Sequence, residues 1–203
     1  MNKHIVFDCE TQKLFSEVTD GSKPWLLKMS TCVTYCYEDD KYKFWTYLTQ
    51  NNLLSYLNGN VVIGFNSITF DCPLILGETC KIEASGNVSN EKYSWSNYDI
   101  YIEIKKRLTR TVGKSVKETL EIMRKNFSLH ERGVYTLDSV AIATLGDRGR
   151  NVSDCEAVEL FKQKKILELL QYNLQNVRII KQLYDFMKEY KYAINGNFDI
   201  IKF

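Results

Sequence analysis

The stretch that decides the fold is residues 61–75, VVIGFNSITFDCPLI, where a short apolar run leads through a polar turn into a second apolar run. Residues 60–64, NVVIG, are typical of a brief strand buried on both faces of a parallel sheet. Pro73 falls in the first turn of a helix that begins near Asp71, where its missing N–H costs nothing. A buried strand followed by a helix predicts an α/β fold, in which ligands bind at the carboxyl ends of the strands. Asn66 lies at that end.

The segments on either side complete the predicted sheet and its helical cover. Residues 3–10 predict a first strand, and residues 26–37 and 42–47 predict a hairpin, because they are rich in β-branched and aromatic residues. Helices are expected over residues 51–57, 136–145 and 162–190, the last with one kink or break. We therefore expect a mixed five-stranded sheet, with strands 1–3 antiparallel and helices on both sides. Residues 77–97 are polar, and we expect them to form an exposed insertion in a single domain, residues 1–203.

The composition is that of an ordinary globular protein and excludes several classes. Of the 203 residues, 44% are hydrophobic, and 27 basic against 25 acidic residues give a net charge of +2, which excludes a histone-like binder. No apolar run approaches the ~18 residues of a membrane span. The N-terminus lacks the apolar core of a signal peptide, so we expect a cytoplasmic protein with no membrane association. The six cysteines form no CxxC pair and there are two histidines, which disfavours a zinc site.

Residues 5–12, IVFDCETQ, carry the first candidate site. Side chains alternate along a strand, so Asp8 and Glu10 are expected on one face and Cys9 on the other. Two carboxylates this close repel each other unless a cation lies between them, and hard oxygen ligands suit Mg²⁺ or Mn²⁺. The simpler interpretation is a strand end that reaches solvent, and the pattern taken alone favours it.

The turn after the buried strand carries the second candidate site. Asp71 is expected near the positive end of the following helix, which favours its ionised form, while Phe70 anchors in the core. As an alternative, Asp71 simply caps the helix and Asn66 is a turn residue. A cap needs only one residue, however, so it does not explain the unit GFN-x-x-x-FD.

The long C-terminal helix carries the third candidate site. Tyr172 and Asn176 are four residues apart and therefore share one face of the helix. The alternative is an aromatic residue on the core face beside a helical amide. Because asparagine is a poor helix former, we expect a local reason for Asn176.

Together, the three fragments resemble the motifs of the DEDD superfamily of 3′–5′ exonucleases, in the branch with a tyrosine in the third motif. The matching residues are Asp8-x-Glu10 for the first motif, Asn66-x-x-x-Phe70-Asp71 for the second and Tyr172-x-x-x-Asn176 for the third. The sequence GFNSITFDCP is similar to the second motif of the proofreading domains of family B DNA polymerases and of their free-standing relatives. The resemblance covers residues 4–187 and implies a ribonuclease H-like fold.

The resemblance also implies hydrolysis of phosphodiester bonds by two metal ions, Mg²⁺ or Mn²⁺, at the 3′ end of single-stranded nucleic acid, with DNA ahead of RNA. On the family pattern, Asp8 would bridge both ions. Glu10 and the third-motif acid would hold the ion that activates water, and Asp71 would hold the second ion. Tyr172 would orient the attacking water, and the expected products are nucleoside 5′-monophosphates.

Asn176 departs from the family pattern, which has an aspartate at this position. Asp185 is nine residues further on, on the opposite face of the helix, and cannot take the role. An amide oxygen can still ligate a metal ion, but it brings no charge. Three explanations stay open: an engineered change, a natural site with weak or Mn²⁺-dependent activity, and a catalytically inactive nucleic-acid-binding or accessory protein of the same fold.

Several other residues are candidates for substrate contact. Lys105, Lys106 and Arg107 form a local basic stretch that could follow a phosphate backbone, although a solvated helix end explains it equally well. Phe65 beside the second motif and Trp25 before the second strand are candidates for stacking on unpaired bases. Asn66 in the second motif is expected to contact the substrate as well.

Overall fold

A mixed sheet forms the centre of the computed structural model, which describes residues 2–108, 133–146 and 154–203, together with 114–116, 118–119 and 121–122. Its strands are β1 (His4–Thr11), β2 (Met29–Cys36), β3 (Lys41–Thr46), β4 (Val61–Gly64), β5 (Lys81–Ile82), β6 (Asn87–Ser89) and β7 (Ser94–Asp99). They lie in the order β3-β2-β1-β4-β7-β6-β5. Strands β1, β2 and β3 are antiparallel, as predicted, whereas β1, β4 and β7 are parallel.

Helices flank this sheet and confirm the predicted α/β class. They are α1 (Gln50–Leu57), α2 (Asp71–Leu76), α3 (Ile100–Leu108), α4 (Leu137–Leu145), α5 (Asp154–Lys162) and α6 (Ile166–Tyr190). The predicted end of the fourth helix is confirmed, because Gly146 adopts a left-handed conformation with φ of 71°. Among the described helices, none is both long enough and apolar enough to cross a lipid bilayer.

The long C-terminal helix begins later than predicted, and the expected break is not present within it. Helix α6 runs from Ile166 to Tyr190 without interruption, and the separate helix α5 ends before it at Lys162. Lys164 between the two helices has a φ of 60°, a left-handed conformation that a continuous helix does not contain. After α6, strands β8 (Tyr192–Ile194) and β9 (Ile200–Lys202) form a small hairpin that the sequence analysis did not predict.

The segment 77–97 belongs to the sheet, which corrects two expectations. It supplies β5, β6 and most of β7, so the described sheet has seven strands rather than five. Val88 and Trp95 are buried, so the segment is not simply an exposed insertion. The polar composition of this segment led to the wrong prediction of an insertion. Alternate residues of β7 face solvent, while the residues between them face the core.

The central strand β1 separates two hydrophobic cores. Ile5 and Phe7 pack into a core that also contains residues of α1 and α2, whereas Val6 packs into a second core with α4 and α6. The predicted alternation therefore directs Asp8 and Glu10 toward the α6 side, where both accept hydrogen bonds from that helix.

Candidate active site

A cavity of about 640 Å³ opens at the carboxyl ends of the parallel strands β1, β4 and β7. Six of the predicted site residues line it, namely Asp8, Glu10, Phe65, Asn66, Asp71 and Asn176. They come from β1, from the turn that follows β4, from the start of α2 and from the middle of α6. The structure thus brings the three candidate fragments together at the edge of the sheet where an α/β fold binds ligands.

The Asn176 side-chain amide joins the two carboxylates of β1. Its Nδ2 donates to Asp8 Oδ2 and to Glu10 Oε1, each at 2.9 Å. An NH₂ group has two hydrogens, so one can serve each carboxylate. The pairing of β1 with β2 shifts in register between Cys9 and Thr11, at the position of Glu10. Irregularities of this kind change the direction of side chains beside functional sites.

Asn173 is a second amide on the same carboxylate, and the sequence analysis missed it. It is fully buried, and its Nδ2 donates to Asp8 Oδ2 at 2.7 Å. The available signal was its spacing from Asn176, because residues three apart share a helix face. Asparagine is also unfavourable inside a helix, so two such residues on one face indicate a shared polar target.

Each of the two amides also has a buried oxygen. Asn173 Oδ1 and Asn176 Oδ1 have no hydrogen-bond partner among the residues that the structure describes. A buried acceptor without a partner costs about 1–3 kcal/mol, so a group that binds these two oxygens beside the carboxylates would gain that energy.

Asp71 is the third carboxylate of the cavity. Its Oδ1 accepts a hydrogen bond from the backbone N–H of Cys9 at 3.0 Å, which ties the start of α2 to β1. Burial and the nearby charge of Asp8 raise the pKa of Asp71 well above its usual value, although the Cys9 hydrogen bond opposes them. The negative charges of this site therefore destabilise one another, and a bound cation would relieve that repulsion.

The turn between β4 and α2 is held tightly. Asn66 has a left-handed φ of 61°, a conformation that asparagine tolerates better than most residues. A Cβ placed on Gly64 would lie 2.5 Å from Ser67 Cβ, so residue 64 has no room for a side chain. Phe65 and Asn66 are thereby presented to the cavity from a turn with a fixed shape.

Asp99, which the sequence analysis missed, anchors this turn from the end of β7. Its Oδ1 accepts from the backbone N–H of Asn66 and its Oδ2 from that of Ile68, both at 2.9 Å. Burial raises the pKa of Asp99 to about 6, and the hydrogen bonds from backbone N–H groups oppose this rise. Asp99 is the last residue of β7, and because this strand was not predicted, nothing in the sequence indicated that Asp99 lies at the site.

Aromatic side chains form the walls of the cavity. The rings of Phe65 and Tyr101 lie 5.7 Å apart, and those of Phe15 and Phe70 lie 5.9 Å apart. All four residues line the cavity, and Lys13 is the basic side chain among its described lining residues. Such walls suit a flat, unsaturated group that stacks on aromatic faces.

Tyr172 and Trp25 do not line the cavity in the described part of the chain. Tyr172 packs with Ala157 and Leu169 on the neighbouring surface between α5 and α6. Trp25 lines a separate depression, so the structure does not bring it to the carboxylates as a base-contacting residue. The predicted role of Tyr172 stays a prediction.

The basic stretch in α3 does not reach the cavity among the described residues either. Lys105 is buried, with Nζ 3.4 Å from the centroid of the Tyr135 ring, and its predicted contact with phosphate stays a prediction. Lys106 pairs with Glu103 at 2.6 Å, and the Arg107 guanidinium lies over the ring of Phe203. Helical periodicity explains the burial of Lys105, because the α3 face that carries it also carries core residues.

The remaining question is whether these residues suit a metal ion. In the described part of the chain, no three His, Cys, Asp or Glu side chains are grouped closely enough to hold one as they stand. The oxygen donors of Asp8, Glu10 and Asp71 nevertheless suit Mg²⁺ or Mn²⁺ in their chemistry, and the unpartnered Asn176 Oδ1 is a further hard donor. The set therefore fits a divalent cation once the Asn176 amide presents its oxygen.

Comparisons with known proteins do not add to this geometry. No protein-family model matches the chain, and no curated protein matches its sequence.

Proposed function

We propose that the chain is a metal-dependent 3′–5′ exonuclease of the DEDD superfamily, with a ribonuclease H-like fold and a tyrosine-type third motif. Its substrate is single-stranded nucleic acid, with DNA ahead of RNA. The observation that carries the proposal is the meeting of Asp8, Glu10 and Asp71 with Asn176 in one cavity. These residues come from three distant parts of the sequence and meet at one edge of the sheet.

The sheet supports the proposed fold in part. Strands β3, β2, β1 and β4 correspond to the four strands located in the sequence, with β1, β2 and β3 antiparallel, and the sheet continues through β7, β6 and β5. The helices on both sides of the sheet agree with the same fold. The expectation of a cytoplasmic location stays part of the proposal.

The chain's own residues have distinct tasks in this proposal. Oxygen atoms of Asp8, Glu10, Asp71 and Asn176 would hold the divalent ions, whose chemistry is to activate a water molecule and to stabilise charge on the phosphate. The Phe65 and Tyr101 rings would stack on the terminal base. The aromatic and aliphatic lining would exclude bulk water from the carboxylates.

The test is degradation of 5′-labelled single-stranded DNA and RNA oligonucleotides in Mg²⁺ and in Mn²⁺. The parent chain is compared with its Asn176→Asp and Asp8→Ala variants. We expect a ladder that shortens from the 3′ end with Asn176→Asp, weaker or Mn²⁺-dependent cleavage with the parent, and none with Asp8→Ala. Intact oligonucleotides with all three chains would overturn the proposed activity.

A catalytically inactive nucleic-acid-binding protein is the second candidate, and one observation favours it. The amides of Asn173 and Asn176 already satisfy Asp8 and Glu10, as a cation otherwise would. Tight binding of either oligonucleotide by all three chains without cleavage would support this candidate.

A further inference from the structure

Asn173 contacts the carboxylate cluster from behind the cavity. It is fully buried in α6, is not among the described cavity-lining residues, and reaches Asp8 Oδ2 at 2.7 Å. Hydrogen bonds from an amide to an ionised carboxylate are short and stronger than those between neutral groups. Asn173 therefore restrains the Asp8 side chain without occupying the space that faces the substrate.

The presence of an amide at position 173 is costly. Asn173 Oδ1 is buried and has no hydrogen-bond partner in the described part of the chain, and asparagine is a poor helix former. A leucine, which has the same number of side-chain heavy atoms and the same branching, would carry neither cost in the interior of α6. The gain lies in the Nδ2 group, whose hydrogen-bond acceptor is Asp8.

Asn176 differs from Asn173 because it faces the cavity. Its NH₂ group donates to both Asp8 and Glu10, so it occupies the place between two carboxylates where a cation would be attracted. Cation binding would require this amide to turn and present Oδ1. Asn173 can keep its own hydrogen bond throughout, and Asp8 then retains its orientation.

We propose that Asn173 is a positioning residue that fixes Asp8 for a divalent cation by donating to its Oδ2. The inference rests on the proposed function, because it requires the cluster to bind a metal ion. Partners that orient metal ligands in this way contribute about 10–100-fold to metal affinity.

The test measures Mn²⁺ affinity calorimetrically on metal-stripped protein, together with thermal unfolding in a chelator. Asn173→Leu removes the donor and keeps the number and branching of the side-chain heavy atoms, and it is made in both the parent and the Asn176→Asp chain. We expect about a 10–100-fold weaker Mn²⁺ affinity in each background. If leucine does not fit at position 173, the Mn²⁺ affinity of Asn173→Ala tests the same role.

Asn60→Ala is the matched control. Asn60 is a partly buried amide at the opposite end of β1, where it donates to Tyr56 O and accepts from Lys3 N. The Asn60→Ala variant is expected to have a lower thermal midpoint and an unchanged Mn²⁺ affinity. This result would distinguish a loss of positioning at the metal site from a general loss of stability. If Asn173→Leu and Asn173→Ala bind Mn²⁺ as tightly as their parents, the positioning role is wrong and the proposed metal site stands. If neither the parent nor Asn176→Asp binds Mn²⁺, the proposed function fails and the inference fails with it.

Discussion

The Asn176 amide lies between two carboxylates, and its two N–H groups donate one hydrogen bond to Asp8 and one to Glu10. In a chelator, Asn176→Asp is expected to lower the free energy of unfolding by about 3 kcal/mol or more. The physical reason is that hydrogen bonds to charged groups are worth about 1.5–3 kcal/mol each, and the new carboxylate adds repulsion. Mn²⁺ should stabilise the variant more than the parent.

Urea unfolding in the chelator and in Mn²⁺ measures both effects. Asn51→Asp adds the same charge at an exposed position of α1 and is the control, with little change expected in either condition. An Asn176→Asp chain as stable as the parent in the chelator would show that the amide does not hold the carboxylates together.

The convergence of Asp8, Glu10 and Asp71 could be predicted from sequence because it follows from local rules. Strand alternation fixes the shared face of the first two, and the carboxyl end of a buried strand fixes the place of the third. Asn173 could not be assigned in the same way. In the sequence, Asn173 looks like any polar residue on the solvent-facing side of a helix. Its acceptor, Asp8, is 165 residues away in the sequence, and only the structure shows that the two side chains meet.

Among the elements, the turn between β4 and α2 depends on one carboxylate of β7. Burial raises the pKa of Asp99 from its usual 3.8 to about 6, so the folded chain holds this proton more tightly than the unfolded chain does. Stability from this proton is fully present below about pH 4 and is lost as pH rises through about 6. We expect the loss of this proton from Asp99 to lower the free energy of unfolding by about 3 kcal/mol as the pH rises from about 4 to about 6.

Asp99→Asn should remove this decline, which urea unfolding at a series of pH values measures. The quantity to compare is the slope of stability against pH in the variant and in the parent, because other carboxylates titrate in both. Asp39→Asn is the control of opposite sign, since the hydrogen bond from Lys3 lowers the pKa of Asp39. Equal slopes in the parent and in Asp99→Asn would contradict the assignment.

The sequence predicted elements where a long or uniform pattern was present and missed them where it was short. Strand β4 and helix α6 follow clear apolar patterns, and both were located correctly. Strands β5 and β6 have two and three residues, too few for an alternation to be recognised. The missed strands are also the reason that Asp99, which ends β7, was not recognised as a structural anchor of the site.

For the molecule as a whole, the C-terminal hairpin connects the end of the chain to the cavity. Asn195 in its turn donates to the Tyr135 hydroxyl and to Asp199 Oδ2, and Tyr135 lines the cavity. Ala193 and Ile201 are buried in the core that α6 shares with β1. The hairpin therefore supports the wall that faces the carboxylates, although it was not predicted.

Ile201 and Ile200 are neighbours on β9 that test whether the hairpin unfolds together with the rest of the chain. Ile201 is 3% exposed and Ile200 is 63% exposed, so the same substitution removes a core contact in one case and a solvent-facing group in the other. Ile201→Ala is expected to cost about 2–5 kcal/mol of unfolding free energy, whereas Ile200→Ala is expected to stay within about 0.5 kcal/mol of the parent. Urea unfolding followed by circular dichroism measures both.

If the two variants unfold at the same urea concentration as the parent, the hairpin opens independently of the two cores. Its contact with Tyr135 could not then hold the cavity wall in place, because a hairpin that opens alone transmits no stability to it.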